Sequence, residues 1–436
     1  MRNLLKLSSL LITLLLSVTT VKGSDCFITA DSAVTVNNWT YKLQGSAAEN
    51  WELLPEVLAA APHDLLVTDF ARFGDEDSKF TPLEVSRIEH SYSDWGGDGH
   101  RKVVLAYISI GEASDFRSYW NPAWTDDGTA SGNLTGDAPE WLGPVDPDWP
   151  ESRKVRYWMT GWQDIIFNDS GTGWLDQVVA QGFDGAYLDI IDAYYFWFEQ
   201  GELSELDAAQ RMIDFVVAIS QHARQTNPSF IIFPQNEPGI LDVVKIADPQ
   251  RYAAYVAAIN GIGVEDTYFF GDADENNPYN PQQFIIQKLK DDFLANGLPV
   301  FTVDYVNTTN KVQQFYTVAV SDGFYPYAAP TRDLDEIGPV GPGIPLPPEN
   351  DCNTNGVPDD CDIASGTSLD ANGNGIPDEC ETSCLGDLDG DNDVDQADLG
   401  LLLASYLLDA GGDLDGDGDT DQADLGILLA GYDQPC

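Results

Sequence analysis

The chain has 436 residues, enough for one large domain plus smaller modules, and its 72 acidic against 21 basic residues give a formal net charge of −51 at pH 7. That balance repels nucleic acid and anionic membrane, and favours divalent cations, cationic or neutral polymers, or solubility in a saline medium. The charge is uneven, since from Glu349 onward there are 23 acidic residues and no Lys or Arg.

The N-terminus opens with Arg2 and Lys6, runs through an apolar stretch from Leu10 to Leu16 and reaches small residues at Val21-Lys22-Gly23. Residues 1–23 read as a secretory signal peptide, too short to span a bilayer. An exported protein is therefore expected, extracellular or periplasmic, with no membrane insertion. Cys26 lacks the preceding small residue of a lipoprotein anchor. Six cysteines suit an oxidising compartment, and five of them, Cys352, Cys361, Cys380, Cys384 and Cys436, lie beyond Glu349, where a small core needs staples. Their pairing stays open.

Residues 24–337 alternate β-rich runs with helical patterns. Candidate strands are 39–44, 64–70, 102–109, 155–158, 185–190, 230–234, 263–269, 300–306 and 324–328; amphipathic segments such as "LSELDAAQRMIDFVVAISQHAR" and "NPQQFIIQKLKDDFLA" lie between them. The alternation predicts an α/β fold, a (β/α)8 TIM barrel, with one of the nine runs an extra strand or a misassignment.

In such a barrel the C-terminal strand ends face the active site. There the sequence places Asp69 in "LLVTDFAR", Tyr107 and Glu112 in "LAYISIGEA", and Asp189 and Asp192 in "GAYLDIID". Further on it places Gln235, Asn236 and Glu237 in "FPQNE", Glu265 and Asp266 in "VEDTYF", and Asp304 in "VFTVDYV". A ring of carboxylates, with neither a glycine-rich phosphate loop nor a Ser or Cys nucleophile motif, points to glycoside hydrolysis by paired acids. Strand alternation puts Gly185, Tyr187 and Asp189 on one face, so Asp189 can look into the barrel mouth while Ala186 and Leu188 pack under helices. Asp189 could instead pair with Arg117 or Arg156, Glu112 could belong to a helix cap, Asp266 rivals Glu265, and Asp184 reads as a turn residue. Eight of the eleven tryptophans fall between Trp120 and Trp197, and a share of them, Trp158 included, is expected to stack on sugar rings.

The ordered motifs "LAYISIGEASDFRSYW", "VRYWMTGWQDIIF", "GFDGAYLDIIDAYYFW", "FPQNEPGIL", "INGIGVEDTYF" and "PVFTVDYV" resemble glycoside hydrolase family 114, the endo-α-1,4-polygalactosaminidase-like TIM barrels once labelled cysteinyl-tRNA synthetase related. The resemblance implies that Asp189 and Glu265 hold the two essential carboxylate positions, one acid/base and the other nucleophile or water-activating base. Glu112, Asp192 and Asn236 would shape the site, and the substrate would be an amino-sugar polysaccharide cut internally. "PQNEP" departs from relatives that carry Gly after Asn, which leaves Glu237 without an assigned role. The alternative is a non-catalytic polysaccharide-binding or scaffold protein that uses the barrel as a lectin.

Residues 338–350, "GPVGPGIPLPPEN", read as a Pro/Gly linker. Beyond it four repeats align on one ligand spacing. The positions are Asp351, Asn353, Asn355, Asp359 and Asp362; Asp370, Asn372, Asn374, Asp378 and Glu381; Asp387, Asp389, Asp391, Asp395 and Asp398; and Asp413, Asp415, Asp417, Asp421 and Asp424. Calcium takes six to eight hard oxygens around a tight turn, and this spacing supplies them. Residues 351–383 resemble thrombospondin type 3 calcium repeats. Residues 384–436, with helices of the "ADLGILLAGY" kind after EF-hand-like loops, resemble a dockerin module, which implies structural calcium and a cohesin-like partner. The recognition pairs Gln396-Ala397 and Gln422-Ala423 differ from the hydroxyl pairs of cellulosomal dockerins. No cofactor is expected for catalysis.

Overall fold

The computed structural model describes residues 25–344, 351–355, 357–370, 373, 375–380, 386–389 and 394–432. The expected signal peptide, the end of the expected linker, Cys384, Cys436 and the ligand positions Asn372, Asn374, Glu381 and Asp391 lie outside the described residues.

The chain begins with a hairpin, β1 (Asp25–Ile28) and β2 (Ala33–Val36). Eight strands then run parallel: β3 (Trp39–Lys42), β4 (Leu65–Thr68), β5 (Val103–Ser109), β9 (Gly185–Asp189), β10 (Ile231–Pro234), β11 (Ile262–Glu265), β12 (Val300–Tyr305) and β13 (Tyr325–Ala329). They match eight of the nine expected runs. The ninth, 155–158, differs: Val155 ends β8 (Ser152–Val155), which pairs antiparallel with β6 (Glu112–Ser114) and β7 (Leu142–Val145) in an excursion between β5 and β9. That excursion explains the surplus, because the run begins in an antiparallel strand that stands outside the parallel ladder.

The eight parallel strands form a TIM-barrel-like α/β core, but not one continuous ladder. β3-β4-β5-β9-β10 make one sheet and β11-β12-β13 another. A single bridge, Gln235 to Gly263, joins β10 to β11. At the other seam the Trp39 indole donates to the Tyr325 carbonyl at 3.0 Å.

Two layers of core follow from the period of two. Tyr41, Val67, Leu105, Tyr187, Phe233, Phe301, Val303 and Tyr305 point inward, and Phe27, Val34 and Val36 of the hairpin join that cluster. Leu66, Ala106, Ala186, Leu188 and Ile232 point outward against the helices. The longest helix, Glu205–Thr226, starts where Ser204 accepts from the Asp207 amide at 3.1 Å, satisfying an orphan donor. Ile344 joins the inner cluster too, so packed chain continues into the segment expected as linker.

Two disulfides, Cys26–Cys361 and Cys352–Cys380, are present. The first ties β1 to the helix Asp359–Ser365 of the first acidic repeat. Helices Gln396–Ser405 and Gln422–Gly431 share a small core of Val394, Leu402 and Leu428. Among the described residues no helix is long and apolar enough to cross a membrane.

Candidate active site

A cleft of about 860 Å³ opens at the C-terminal ends of the parallel strands. Asp69, Tyr107, Glu112, Asp189, Asp192, Gln235, Asn236, Glu237, Glu265 and Asp266 all line it. A volume of this size suits several sugar rings.

Asp189 closes β9 on the inward face. Its Oδ2 accepts from the Tyr107 hydroxyl at 2.6 Å and its Oδ1 from the Ile190 amide at 2.7 Å. Burial and the negative charge of Glu265 push its pKa up to about 7, against the two hydrogen bonds. Neither Arg117 nor Arg156 pairs with it. Arg117 grips Asp69 through both oxygens, at 3.2 and 2.7 Å, and Arg156 pairs with Glu202 at 2.6 Å.

Glu265 closes β11. The Tyr305 hydroxyl donates to its Oε1, and the Asn236 amide group donates to its Oε2 at 3.1 Å while accepting from the Glu265 backbone N–H at 2.9 Å. Asn236 therefore fixes both the carboxylate and the strand end that carries it. The rival acid, Asp266, is held in a fork by Arg332 at 2.9 and 3.0 Å, and that guanidinium lies 4.0 Å from the centroid of the Tyr305 ring. Beneath the pair, Gly263 is required by close approach, since a Cβ there would sit 1.7 Å from the Tyr187 hydroxyl oxygen.

Ile190, Asn236, Glu237 and Asp266 all have φ between 49° and 63°. Left-handed backbone at non-glycine residues is disfavoured, most of all at β-branched Ile190. Here it falls directly after three strands that carry the site.

The remaining acids differ in their attachments. Glu112 bonds to Lys154, which also pairs with Asp146 at 2.7 Å; burial and the Asp146 contact push Glu112 up to about 9. Asp192 and Glu237 face the cleft with raised pKa values, chiefly from burial, and each is in the other's field or that of Lys154. Gln235 accepts from the Tyr41 hydroxyl at 3.0 Å.

Two expected residues lie elsewhere. Asp304 sits on the outward face of β12, between Val303 and Tyr305 of the inner cluster, and accepts three backbone N–H groups from Thr267, Tyr268 and Phe269 at 2.7 to 2.9 Å. It fastens the loop after β11 rather than meeting the cleft. Trp158 packs edge-on against Tyr157 and Trp197 on the far side of the strands. Of the eight tryptophans from Trp120 to Trp197 only Trp149 lines the cleft, while Trp51, outside that run, also does. Tyr305 and Arg332 were missed as well; strand parity alone would have placed Tyr305 inward beside Glu265.

In the acidic repeats, carboxylate oxygens of Asp387, Asp389 and Asp398, and again of Asp413, Asp415 and Asp424, gather within 4.8 Å of one another. Asp424 accepts from the amides of Leu414, Asp415 and Asp421 at 2.7 to 3.1 Å, and Asp398 repeats the pattern with Leu388, Asp389 and Asp395. Asp413 accepts from Gly416 and Gly418 at 2.8 and 2.9 Å. In the first repeat Asn353 and Asn355 both donate to Asp362 Oδ2, at 3.0 and 2.8 Å. The donor set is hard oxygen throughout, which suits calcium.

Residues 93–343 match the model of glycoside-hydrolase family GH114. An uncharacterized protein of Thermotoga maritima is 31% identical over 323 residues, which cover 72% of this chain and 86% of that one. One from Methanocaldococcus jannaschii is 32% identical over 309 residues, 69% of this chain and 77% of the other. Among solved structures, the glycoside hydrolase domain of PelA from Pseudomonas aeruginosa is 16% identical with a TM-score of 0.47, over 69% of this chain and 97% of that one.

Proposed function

The chain belongs to glycoside-hydrolase family GH114, and from that membership we propose a secreted, endo-acting glycosidase that cuts an amino-sugar polysaccharide of the polygalactosamine kind with Asp189 and Glu265. One observation carries the proposal: Asp189 and Glu265 end two strands of the barrel-like core and line one cleft, where burial and the Glu265 charge push Asp189 up to about 7, so that it can hold a proton near neutrality. That is the state paired-carboxylate hydrolysis starts from. The protonated carboxyl gives its proton to the glycosidic oxygen as the C–O bond breaks. The charged partner attacks the anomeric carbon, or removes a proton from the attacking water.

The charge balance of the cleft supports an ammonium-bearing sugar. Arg117, Arg72 and Arg332 line the cleft but are committed to Asp69, to Glu52 and Glu84, and to Asp266. Among the described residues Asp192 and Glu237 have no ion-pair partner there, so an amine near them gains attraction that an acetamide does not. The lectin alternative shares this cleft but does not need that proton.

The C-terminal repeats, in this reading, bind structural calcium through Asp387, Asp389, Asp395 and Asp398 and through Asp413, Asp415, Asp417, Asp421 and Asp424, and present a dockerin-like surface to a cohesin-like partner. Two disulfides support passage through an oxidising compartment.

The test is reducing-end release from partly deacetylated galactosaminogalactan by the full chain. Asp189→Asn and Glu265→Gln are expected to abolish release and keep polymer binding. Undiminished release in both variants would reject the paired-carboxylate assignment.

A further inference from the structure

Nine large aromatic side chains are exposed among the described residues, and five of them, Trp51, Phe73, Phe116, Trp149 and Phe270, line the one cleft. Exposed apolar surface concentrated in this way marks a ligand surface rather than chance exposure. The five are not spread evenly around the carboxylate pair. Trp51 follows β3, Phe73 follows β4, and Phe116 and Trp149 sit in the excursion between β5 and β9. Asp189 and Glu265 end the fourth and sixth parallel strands. Four aromatics therefore extend from the pair across the first three strands, and only Phe270, after β11, lies on the other side.

Trp51 is the most exposed of them, at 64%, and its backbone is unusual. Asn50 and Trp51 have φ of 56° and 63°, two successive left-handed residues that are not glycine. The turn that carries them is pinned: the Trp51 amide donates to the Ser46 carbonyl at 3.0 Å, and Glu49 accepts from the Ser46 amide at 2.8 Å and from Lys42 at 3.0 Å. A disfavoured backbone thus holds an indole in water over the cleft. Phe116 is fixed differently, its ring edge lying where a Gly74 Cβ would meet it at 3.2 Å and its face 5.0 Å from the Arg117 guanidinium.

We infer that Trp51, Phe73, Phe116 and Trp149 form a stacking platform for the hexose rings that flank the scissile bond on one side, giving the enzyme extended binding there and short binding on the other. This rests on the glycosidase reading above. A pyranose face carries C–H groups that pack on the electron-rich face of an aromatic ring. The platform therefore grips the sugar backbone of the polymer whatever its nitrogen substituent, whereas Asp192 and Glu237 respond to charge. Salt separates the two, because it screens the half-buried Asp192 and Glu237 in part and leaves stacking intact.

The experiment uses the full chain and α-1,4-linked galactosamine oligomers of increasing length. For the parent, KM falls as the oligomer lengthens. Trp51→Ala and Phe116→Ala each raise KM on long oligomers about tenfold, the value of one stacked ring, with the loss in KM rather than kcat and the smallest loss on the shortest cleaved oligomer. The effect persists at high salt, while that of Asp192→Asn shrinks. Trp51→Phe restores most of the loss, and both alanine variants keep the parent melting temperature because the side chains are exposed. Length dependence unchanged in both alanine variants overturns the platform alone. No cleavage of any oligomer by the parent, together with no binding by Asp189→Asn, overturns the substrate reading and the platform's ligand with it.

Discussion

Carboxylates dominate both ends of this molecule, yet they are held in opposite ways. In the cleft Asp189, Glu265, Asp69 and Asp266 are gripped by side chains, namely Tyr107, Tyr305, Asn236, Arg117 and Arg332. In the repeats Asp398, Asp413 and Asp424 are oriented by backbone amides. A tyrosine or guanidinium fixes one rotamer of one carboxylate, which serves proton transfer. Backbone amides fix the loop and aim the other lone pairs together, which serves a cation. The same residue type thus answers two chemistries according to its donors.

The largest effect expected from breaking this contrast is at the pair. Asp189→Asn and Glu265→Gln each remove one of the two states needed, and kcat should fall by about 10²–10⁴-fold, measured as reducing ends released. Asn236→Ala, which removes a donor rather than an acid, should cost less and leave the pH profile displaced rather than flat. Equal losses in all three would show that geometry alone is being measured.

Next comes Arg117→Met. The guanidinium is buried against Asp69, donates to the Gly74 carbonyl at 2.8 Å and stacks 4.3 Å from the Trp174 ring. Leaving Asp69 buried and unpaired should cost about 3–5 kcal/mol in denaturant unfolding. A loss under about 1 kcal/mol, typical of an exposed pair, would mean Asp69 finds water in the cleft.

Chelation tests the other end. If calcium fills the repeats, removing it at a hundredfold excess over Kd should lower their stability by about 3 kcal/mol. The helix Asp359–Ser365 is tied to the barrel hairpin by Cys26–Cys361 as well as by packing, so the barrel transition should feel the first repeat more strongly while that bond is intact. Calorimetry of Cys26→Ser with and without chelator reads this directly; a barrel melting temperature equally sensitive in both proteins would rule out the disulfide as the route.

Much of this was legible from alternation. The eight parallel strands and the inward aim of Asp189 followed from the period of two and from glycine and proline punctuation. The same parity, applied to "VFTVDYV", sends Asp304 outward and Tyr305 inward; the acid drew attention because of its type, and its face was overlooked. The antiparallel excursion was invisible as such because Ser152–Val155 reads Ser-Arg-Lys-Val, three polar residues that carry no strand pattern although all four are buried. The tryptophans misled because indoles such as Trp141 and Trp162 pack at a tilt against each other in a core, and sequence does not distinguish that from a sugar platform. Arg332 reaches Asp266 across 66 residues, a contact no local pattern encodes.

The smallest expected effect is also the sharpest on the electrostatics. Burial and the Glu265 charge push Asp189 in the folded chain up to about 7, above the ordinary carboxylate value of 3.8. Between those two values the folded chain keeps a proton that the unfolded chain has lost. The stabilising contribution is therefore complete below about 4 and declines as pH rises to about 7. The same proton serves catalysis, so kcat/KM should fall as pH rises through about 7. Glu265→Gln removes the repelling charge, lowers the Asp189 pKa and relieves a repulsion that exists only when both groups are ionised. Its stability relative to the parent should thus be greater at pH 8 than at pH 5, by roughly 1 kcal/mol for each tenfold change in the Asp189 dissociation constant. Equal differences at the two pH values would mean that the Tyr305 and Asn236 hydrogen bonds, and not the charge, are what Asp189 senses of its partner.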